Sequence, residues 1–588
     1  MKDNNKRETQ VSDVTPLVNT KDISSLSIGV SDFQKLILAN YFIVDKTLLI
    51  KEIMDDSAEV ILITRPRRFG KTLNLSMLYY FLQSHVSEEQ NLFENFNISQ
   101  HKNICKSHQN QYPVIFISFK DIKADNFEDA YADIRVLFSQ LYSEHRYLLK
   151  ENILQKEEEK IFFAILNQDD DKANIKKAIN KLSELLHRKF GKHPIILIDE
   201  YDTPIQQSYL KNYYEDMIEL MRGIFGAGLK DNEYLKKAVV TGITRIAQES
   251  LFSGVNNFEA YSLLSEKYGQ YFGFTEEEVM KLKNDIGSAG ANVSMADIKA
   301  WYNGYRIGSH TLYNPWSIIS CFRRNGKLAP YWLNTASNGL IALLLSNAKM
   351  EVKYQLEKLL QGEEVEQPLL ENLVFPDLKN KEGALWSLLF HAGYLNVLST
   401  RYKGHLVLAK IAIPNKEVMF VYDEIIEQRF SATVSLASYT SLTESLANGN
   451  IDLFKRRLSE YLVESGSYFD FNTNTPESVF QAFVLGFIVG LKDNYIIHSN
   501  QEAGLGRFDV MLLPKHKETQ GILLEFKTSE TLETLESKAQ AALEQIKDKE
   551  YFQVFKQHEV GKVLAIGLAF CGKKVELAYE HIEIGLER

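Results

Sequence analysis

Two carboxylates and a lysine near the end of the chain have the spacing of a site that cleaves phosphodiesters. Glu525 and Lys527 lie two residues apart at the end of an apolar run, so a β-strand would point both side chains to the same face. Asp509 stands at the start of the preceding apolar run, which a hairpin would place beside them. Asp509 and Glu525 can then hold one or two Mg²⁺ ions that polarise a phosphodiester and acidify water. Lys527 can position that water or stabilise the developing negative charge.

Two further side chains extend this predicted catalytic set. Glu477 stands near the start of an apolar helical stretch and can add a carboxylate directed at the metal. Gln545 lies within a predicted helix over 540–551, one turn before Lys549, so both side chains can face the same site. Glu-x-Lys at the end of a strand is common and usually structural. The ordered set is harder to obtain by chance, and it favours a nuclease site.

A second set of residues, far upstream, predicts a site for a nucleoside triphosphate. A short apolar run indicates a buried strand, Pro66 and Gly70 break it, and residues 72–82 continue at helical spacing. In such a strand, loop and helix, N–H groups surround the phosphates, Lys71 reaches the outer phosphates and the Thr72 hydroxyl binds Mg²⁺. The predicted cofactor-binding residues of the loop are Arg67, Arg68, Phe69, Gly70, Lys71 and Thr72.

One position of this loop departs from the pattern G-x-x-x-x-G-K-[ST], because Arg65 stands where the first glycine is expected. The loop alone could therefore be a solvated basic turn before an amphipathic helix. A later apolar run over 195–198 leads directly into Asp199 and Glu200, which is the pattern of a Walker B strand. There the aspartate supports Mg²⁺ and the glutamate orients a hydrolytic water. By itself this run fits a buried strand with an acidic loop equally well, but after a phosphate-binding loop it favours an ATPase.

A fourth apolar run places hydroxyls and an arginine at the same edge of the predicted sheet, where ligands of open α/β sheets bind. Thr241 or Thr244 can sense the γ-phosphate, and Arg245 can contact it. A threonine that caps a turn and a surface arginine in an ion pair are equally consistent with the sequence.

Strand-like runs over 60–64, 114–119, 195–198 and 238–243 alternate with helical stretches. This alternation predicts an α/β fold in which a P-loop NTPase parallel sheet is flanked by helices. A mostly helical middle region, with one helix over 383–398, then leads to a C-terminal α/β nuclease-like domain. The predicted domains are a disordered tail (1–26), an ATPase-like domain (27–272), a helical lid subdomain (273–340), a helical connecting region (341–470) and a nuclease-like domain (471–588).

Composition narrows the class of protein. At 588 residues with 45% hydrophobic and 24% charged residues, the chain has the size and composition of a globular protein of several domains. Its three cysteines are far apart, which excludes a disulfide framework and suits a reducing compartment. A net charge of −10 argues against a globally basic nucleic-acid coat. The sequence lacks an apolar run long enough to span a bilayer and a Sec-type start, so we expect a cytoplasmic protein, with export as an effector left open.

With both sites in view, the chain resembles a bacterial family in which an AAA-ATPase-like domain is fused to a PD-(D/E)XK nuclease-superfamily domain. The resemblance begins at about residue 27, and its motifs include Gly-Val-Ser-Asp-Phe at 29–33, Val-Asp-Lys-Thr at 44–47, the loop at 65–72, Asp-Glu-Tyr-Asp-Thr-Pro at 199–204, Thr-Gly-Ile-Thr-Arg at 241–245 and Tyr-Asn-Pro-Trp at 313–316. Arg65 belongs to the usual loop of that family.

The resemblance implies a role for each set of residues. The resemblance assigns binding of nucleotide and Mg²⁺ to Lys71 and Thr72, and the Walker B pair to Asp199 and Glu200. It assigns the nuclease core to Asp509, Glu525 and Lys527. The predicted metal ligands are Thr72 and Asp199 in one site and Asp509 and Glu525 in the other. We therefore expect an ATP-binding and ATP-hydrolysing protein, using ATP and Mg²⁺, coupled to a Mg²⁺-dependent nuclease acting on DNA or RNA. The alternative is a nucleotide-switched module that binds nucleic acid or protein without cutting it. The sequence leaves open whether the protein forms an oligomer.

Overall fold

The computed structural model divides into two compact units, and each is described by itself. The first comprises Met1–Ile341 with Glu364–Phe420, and the second Ala342–Glu363 with Val421–Arg588. The structure describes residues 25–84, 91–150, 153–169, 171–245, 251, 258–332, 344, 350–360, 362–370, 375–379, 381, 383–404, 406–422, 436–469, 477–491, 494–499, 502–503, 506–516, 518–549, 551 and 553–585. The predicted tail over 1–26 therefore lies outside the described residues except at its end, where Leu26 is buried.

A parallel sheet forms the centre of the first unit. Its strands are β1 (Val60–Thr64), β2 (Val114–Ser118), β3 (Ile195–Asp199), β4 (Lys237–Gly242) and β5 (Phe258–Tyr261). All neighbouring pairs are parallel, and the order across the sheet is β2-β3-β4-β1-β5. The three inner strands are buried at every position, as their mostly apolar sequences require. The parallel sheet predicted from the alternation of strands and helices is confirmed, and β5 is an additional edge strand.

Helices bury their apolar faces beside this sheet. In the helix over residues 127–144, for example, Ala130, Ile134, Phe138 and Leu141 are buried and recur at helical spacing. The helices of this part of the unit are α1 (Phe33–Leu38), α2 (Leu48–Asp55), α3 (Lys71–Leu82), α4 (Lys102–His108), α5 (Phe127–Glu144), α6 (Lys156–Asn167), α7 (Lys172–Phe190), α8 (Thr203–Leu210) and α9 (Tyr214–Phe225), of which α4 has no buried residue. Across the part of the chain that the structure describes, no helix combines the length and apolarity needed to cross a membrane.

A smaller helical cluster with its own core follows in the same unit. It consists of α10 (Glu276–Asp285), α11 (Ser288–Ala291), α12 (Met295–Tyr302), the hairpin of β6 (Tyr305–Ile307) and β7 (His310–Leu312), and α13 (Pro315–Arg323). Its buried side chains include Val279, Ile298, Tyr313 and Ile318, and Leu26 packs among them. The lid boundary predicted at 273–340 remains a prediction.

The stretch predicted as a helical connecting region also contains a sheet. Strands β8 (Val365–Leu369), β9 (Asn396–Lys403) and β10 (Leu406–Ala412) form an antiparallel sheet of order β8-β10-β9. The helix predicted over 383–398 is therefore wrong in its second half. The observed helix, α15 (Ala384–His391), ends before Gly393, whose φ of +88° takes the backbone out of helical geometry.

The second unit is built on a five-stranded mixed sheet. Its elements are α14 (Met350–Leu360), α16 (Leu436–Ala447), α17 (Ile451–Phe469), α18 (Glu477–Ile488), β11 (Tyr495–Ser499), β12 (Glu502–Ala503), β13 (Gly506–Arg507), β14 (Val510–Pro514), β15 (Gly521–Thr528), α19 (Leu535–Asp548), α20 (Gln553–Gln557), β16 (Lys562–Cys571) and β17 (Lys574–Glu583). The order is β11-β14-β15-β16-β17, and only the β15–β16 pair of this sheet is parallel. The C-terminal α/β domain predicted from the sequence is thereby confirmed.

A glycine on β16 sets how closely α19 approaches the sheet. A Cβ at Gly567 would lie 2.2 Å from the Ala539 carbonyl oxygen and 2.5 Å from the Leu543 backbone nitrogen. Because both are backbone atoms of α19, Gly567→Ala must displace the helix, and we expect the free energy of unfolding of this unit to fall by about 1–3 kcal/mol. Urea unfolding of the full chain measures the change. Gly585→Ala is the control, since its added Cβ meets no described atom within 4 Å. Equal stability of the two variants would contradict the expectation.

Candidate nucleotide and nuclease sites

The loop between β1 and α3 leads a buried strand directly into a helix N-terminus, the arrangement in which phosphate-binding loops occur. Gly70 has a φ of +84°, which favours glycine, and it precedes the first residue of α3, where no described side chain caps the helix. The ammonium of Lys71 is buried and donates to the carbonyl oxygens of Arg65 at 3.1 Å and Pro66 at 3.0 Å. Burial lowers the pKa of Lys71, opposed by the acidic groups nearby. The helix N-terminus and Lys71 thus lie together, as an anion site requires.

Arg65 explains the departure from the glycine pattern. Its side chain is fully buried, and Nη1 donates to the carbonyl oxygens of Thr64 at 2.8 Å, Tyr261 at 3.0 Å and Ser262 at 3.1 Å. The guanidinium also lies over the Phe272 ring, and burial lowers the pKa of Arg65 to about 9. Arg65 therefore fastens the end of β1 to the end of β5.

Asp199 is held between two threonine hydroxyls. Thr72 donates to Oδ2 and Thr241 donates to Oδ1, each at 2.7 Å. The carboxylate is fully buried, and burial raises the pKa of Asp199 against the lowering effect of these hydrogen bonds. The structure thus brings together Thr72 and Asp199, the two predicted metal ligands. A buried carboxylate beside a hydroxyl is a donor set that Mg²⁺ accepts.

Glu200 follows in a conformation that few non-glycine residues adopt. Its φ is +50°, and its Oε2 accepts a hydrogen bond from the Thr203 hydroxyl at 3.0 Å. Burial raises the pKa of Glu200, but the positive charges of Lys71 and Arg67, the hydrogen bond from Thr203 and the charge of Lys123 together lower the pKa overall. Glu200 is therefore ionised and lies within the electrostatic reach of Lys71.

The predicted γ-phosphate sensors have separate environments. Thr244 is fully buried, and its N–H and hydroxyl both donate to Oδ2 of Asp202 at 2.8 Å. Between the two threonines that the sequence left open, Thr241 is therefore the one that reaches the Asp199 carboxylate. Arg245 lies close enough to His391 that its charge, added to burial, lowers the pKa of His391 to about 4. Asp202 was not predicted as a site residue, although its position three residues after Asp199 was a usable signal.

Two residues of the loop contact side chains of the later helical cluster. The guanidinium of Arg68, a residue with φ of +67°, lies 4.1 Å from the centre of the Trp316 ring. The buried ring of Phe69 meets Tyr305 edge-to-face at 4.9 Å. Arg68 and Phe69, predicted as cofactor-binding residues, thus join the loop to β6 and α13.

The predicted hairpin of the C-terminal site is confirmed. Strands β14 and β15 are antiparallel, with Val510 opposite Leu524, so Asp509 lies opposite Glu525. The Asp509 N–H donates towards Oε2 of Glu525 at 3.4 Å, and Oδ2 of Asp509 accepts from the Phe526 N–H at 2.8 Å. The two carboxylates thus lie side by side, Asp509 directly before β14 and Glu525 within β15.

The environment of Glu525 raises its pKa strongly. Glu525 is 1% exposed, and burial together with the charge of Asp509 raises its pKa to about 8, although Lys527 opposes the shift. Gln545 donates from Nε2 to Oε1 of Glu525, as its predicted place in the site implied. Lys549 lies after the end of α19 and is exposed.

Helix α18 approaches the same carboxylates. Burial and the charge of Asp509 raise the pKa of Glu477, while Lys527 lowers it, so all three groups share one electrostatic environment. One turn further, Gln481 donates from Nε2 to the Asp509 carbonyl oxygen at 3.0 Å. Gln481 was missed from the sequence, although its i+4 spacing from Glu477 puts both on one helix face. The structure therefore gathers all five residues predicted for this site.

Comparison with known families supports the two domain types. Residues 27–252 match the model of a predicted AAA-ATPase, and residues 475–580 match that of the PD-(D/E)XK nuclease superfamily. The chain joins an AAA-ATPase-like domain to a PD-(D/E)XK nuclease-superfamily domain. The family resemblance inferred from the sequence motifs is thereby confirmed.

Two similar proteins give further context. An uncharacterized protein in the vnfD 5′ region of Azotobacter chroococcum mcd 1 is 24% identical over 407 residues, which are 69% of this chain and 70% of that protein. Among solved structures, the Walker-type ATPase PABY2304 of Pyrococcus abyssi is 14% identical with a TM-score of 0.35, covering 64% of this chain and 94% of its own. Neither likeness assigns an activity to this chain.

The acidic pair of the nuclease-superfamily domain fits a divalent cation. Within the described residues, no group of three or more His, Cys, Asp and Glu side chains forms a metal cluster. Mg²⁺, however, is commonly held by one or two carboxylates with water completing its shell. Burial raises the pKa of Glu525 most, and repulsion from the ionised Asp509 adds to the shift; a cation would remove that repulsion.

Binding of Mg²⁺ to this domain should release a proton. Because the folded pKa of Glu525 is about 8, its carboxyl is protonated at pH 7 and must ionise to bind a cation. Titration calorimetry at pH 7 in two buffers of different ionisation enthalpy should therefore report about one proton released per ion, falling towards zero above pH 9. Glu525→Gln should abolish the release. An enthalpy independent of buffer in the wild-type protein would contradict the assignment.

The same pKa shift sets a pH dependence of stability. The pKa of Glu525 is raised from 4.5, so the stability conferred by its protonated form is fully present below pH 4.5. That stability is lost as the pH rises through about 8 in protein free of divalent cations.

Proposed function

We propose that this protein binds and hydrolyses ATP with Mg²⁺ in its AAA-ATPase-like domain, and that nucleotide occupancy controls a Mg²⁺-dependent nuclease in its C-terminal domain. The nuclease would cleave phosphodiester bonds of DNA or RNA. The observation that carries the proposal is the pairing of the half-buried Asp509 with the buried Glu525 on neighbouring strands, with Lys527 in the same electrostatic environment. If Lys527 only formed a structural salt bridge, one carboxylate would suffice and the second would not be needed.

The nucleotide-binding residues divide their work by position. Thr72 and Asp199 would hold Mg²⁺, and the charge of Lys71 at the start of α3 would bind the outer phosphates. Mg²⁺ neutralises the phosphate oxygens when bound. Glu200, kept ionised by Lys71 and Arg67, would accept a hydrogen bond from the attacking water and orient it.

In the nuclease-superfamily domain each group also has one task. Asp509 and Glu525 would hold the cation, which polarises the phosphodiester and lowers the pKa of water. Lys527 would position that water or stabilise negative charge on the phosphate. Gln545 fixes the rotamer of Glu525 through its amide, and Glu477 adds a carboxylate from α18.

Assays of the full wild-type chain test the proposal directly. Labelled single- and double-stranded DNA and RNA are incubated with and without Mg²⁺ and with and without ATP, and cleavage and phosphate release are measured. We expect Mg²⁺-dependent cleavage whose rate changes with ATP. Mg²⁺- and ATP-dependent binding without cleavage would instead support the non-cutting switch, an alternative that the net charge of −10 favours because processive nucleases track phosphates with basic grooves.

A further inference from the structure

The stack of Arg68 on Trp316 lies where a nucleotide would act on it. Arg68 belongs to the phosphate-binding loop, two residues before Gly70, and its guanidinium lies 4.1 Å from the Trp316 ring centre. In this position the cation interacts with an aromatic face. A charge-assisted hydrogen bond from arginine to phosphate is stronger than such a contact at a partly exposed site. A triphosphate in the loop therefore competes with Trp316 for the same guanidinium.

Trp316 is also positioned through its indole N–H, which belongs to a connected set of hydrogen bonds. The indole N–H of Trp316 donates to the Tyr331 carbonyl oxygen at 3.3 Å. The next N–H along the chain, that of Trp332, donates to Oε1 of Glu417 at 2.9 Å, and the Ser317 hydroxyl donates to the same carboxylate at 2.7 Å. Glu417 thus accepts hydrogen bonds from α13, the helix that carries Trp316, and from Trp332, next to the carbonyl oxygen that accepts the Trp316 indole N–H.

Glu417 is placed at a junction of the chain. Its side chain is fully buried, and burial raises its pKa to about 7. It lies shortly before the chain passes from the first unit to the second at Phe420 and Val421. Trp332, its backbone partner, lies shortly before the earlier passage between Ile341 and Ala342. The Glu417 carboxylate, on one segment that leads into the second unit, is therefore hydrogen-bonded to Trp332, on the other.

We propose that Arg68 senses the occupied loop by leaving the Trp316 ring when a nucleoside triphosphate binds, and that Trp316 and Glu417 transmit this change to the segments leading into the second unit. The proposal rests on ATP binding at the loop and specifies how the proposed nucleotide control would begin. Trp316 and Glu417 are positioning residues, since they act through Arg68 and the backbone.

Linkage between the two contacts gives a quantitative test. If Trp316 sequesters Arg68 in the free protein, then Trp316→Leu should tighten ATP binding by about three- to tenfold. In an Arg68→Ala background the same substitution should leave the Kd of ATP unchanged within about 1.5-fold, because the competing contact is already lost. Trp301→Leu is the matched control, since Trp301 stacks on Phe420 instead, at 5.4 Å. Affinity is measured with a fluorescent ATP analogue on the full chain.

Hydrogen exchange provides a second readout that does not depend on cleavage. In the wild-type protein, ATP should speed exchange of the Trp332 amide, and Trp316→Leu should exchange at the faster rate without ATP. If Trp316→Leu fails to fold, Trp316→Phe, which keeps an aromatic face, should show the same effects at about twofold.

The outcomes separate this inference from the proposed function. Unchanged or weaker ATP binding in a folded Trp316→Leu variant, or an equal effect of the substitution in the Arg68→Ala background, would overturn the relay while leaving ATP binding intact. Absence of ATP binding in the wild-type chain would overturn both.

Discussion

Asp509→Asn should reduce Mg²⁺-dependent cleavage by on the order of 10³-fold, because it removes one of the two carboxylates that would hold the cation. The substitution preserves shape, and the amide oxygen can still accept the Phe526 N–H that now donates to Oδ2 of Asp509 at 2.8 Å. The two strands should therefore stay in register while the charge is lost. Cleavage of the preferred polymer, measured under single-turnover conditions, gives the rate.

A matched control distinguishes loss of chemistry from loss of charge. Asp548→Asn changes an exposed aspartate at the end of α19 in the same domain, and its cleavage rate should stay within about twofold of wild type. ATP hydrolysis should be retained in both variants. Cleavage by Asp509→Asn within about tenfold of the wild-type rate would remove Asp509 from the proposed metal site.

The parts of both sites that the sequence predicted are local. Lys71 and Thr72 follow β1 directly, and a loop that leads a buried strand into a helix N-terminus has few alternatives. Glu525 and Lys527 share a face because strand geometry alternates side chains, and a hairpin connects them to Asp509. Rules of this kind act within one or two neighbouring elements, so the residues that obey them can be recognised in a single sequence.

The parts that the sequence did not predict depend on distant partners. Arg65 looks like a defect in the loop pattern until β5 pairs with β1 and supplies the carbonyl oxygens of Tyr261 and Ser262. Likewise Thr241 and Thr244 are equivalent in the sequence. The pairing of β4 between β1 and β3 places the Thr241 hydroxyl where it donates to Asp199. The Thr244 hydroxyl donates to Asp202 instead.

The antiparallel sheet over 365–412 was missed for a different reason. Its strand β9 is exposed from Ser399 to Lys403, so it lacks the apolar alternation that predicts a half-buried strand. Its pairing with β10 supplies backbone hydrogen bonds, while a few side chains such as Val397 and Ile411 supply the apolar contact. A strand stabilised mainly by its neighbour leaves little periodic signal in its own sequence.

Lys71→Ala should weaken ATP binding by on the order of 10²-fold and make cleavage insensitive to ATP. The reason is that the buried ammonium of Lys71 now satisfies the carbonyl oxygens of Arg65 and Pro66, and the loop holds it at the start of α3 where the outer phosphates would lie. A hydrogen bond to a charged group contributes about 1.5–3 kcal/mol, so losing this cation removes about that much or more from binding. Titration with ATP measures the affinity, and cleavage is followed in parallel.

This variant separates the two sites, because Lys71 belongs to the first unit and Asp509 to the second. Cleavage without ATP should persist in Lys71→Ala, since the carboxylates, Lys527 and Gln545 are unchanged, whereas Asp509→Asn should hydrolyse ATP without cutting. Lys281→Ala, which removes an exposed lysine from α10 of the first unit, should bind ATP as the wild-type protein does. If Lys71→Ala still bound ATP within about threefold of wild type, the loop would not be the nucleotide site. If it lost ATP binding yet cleaved with the same ATP dependence, control would reside outside this loop.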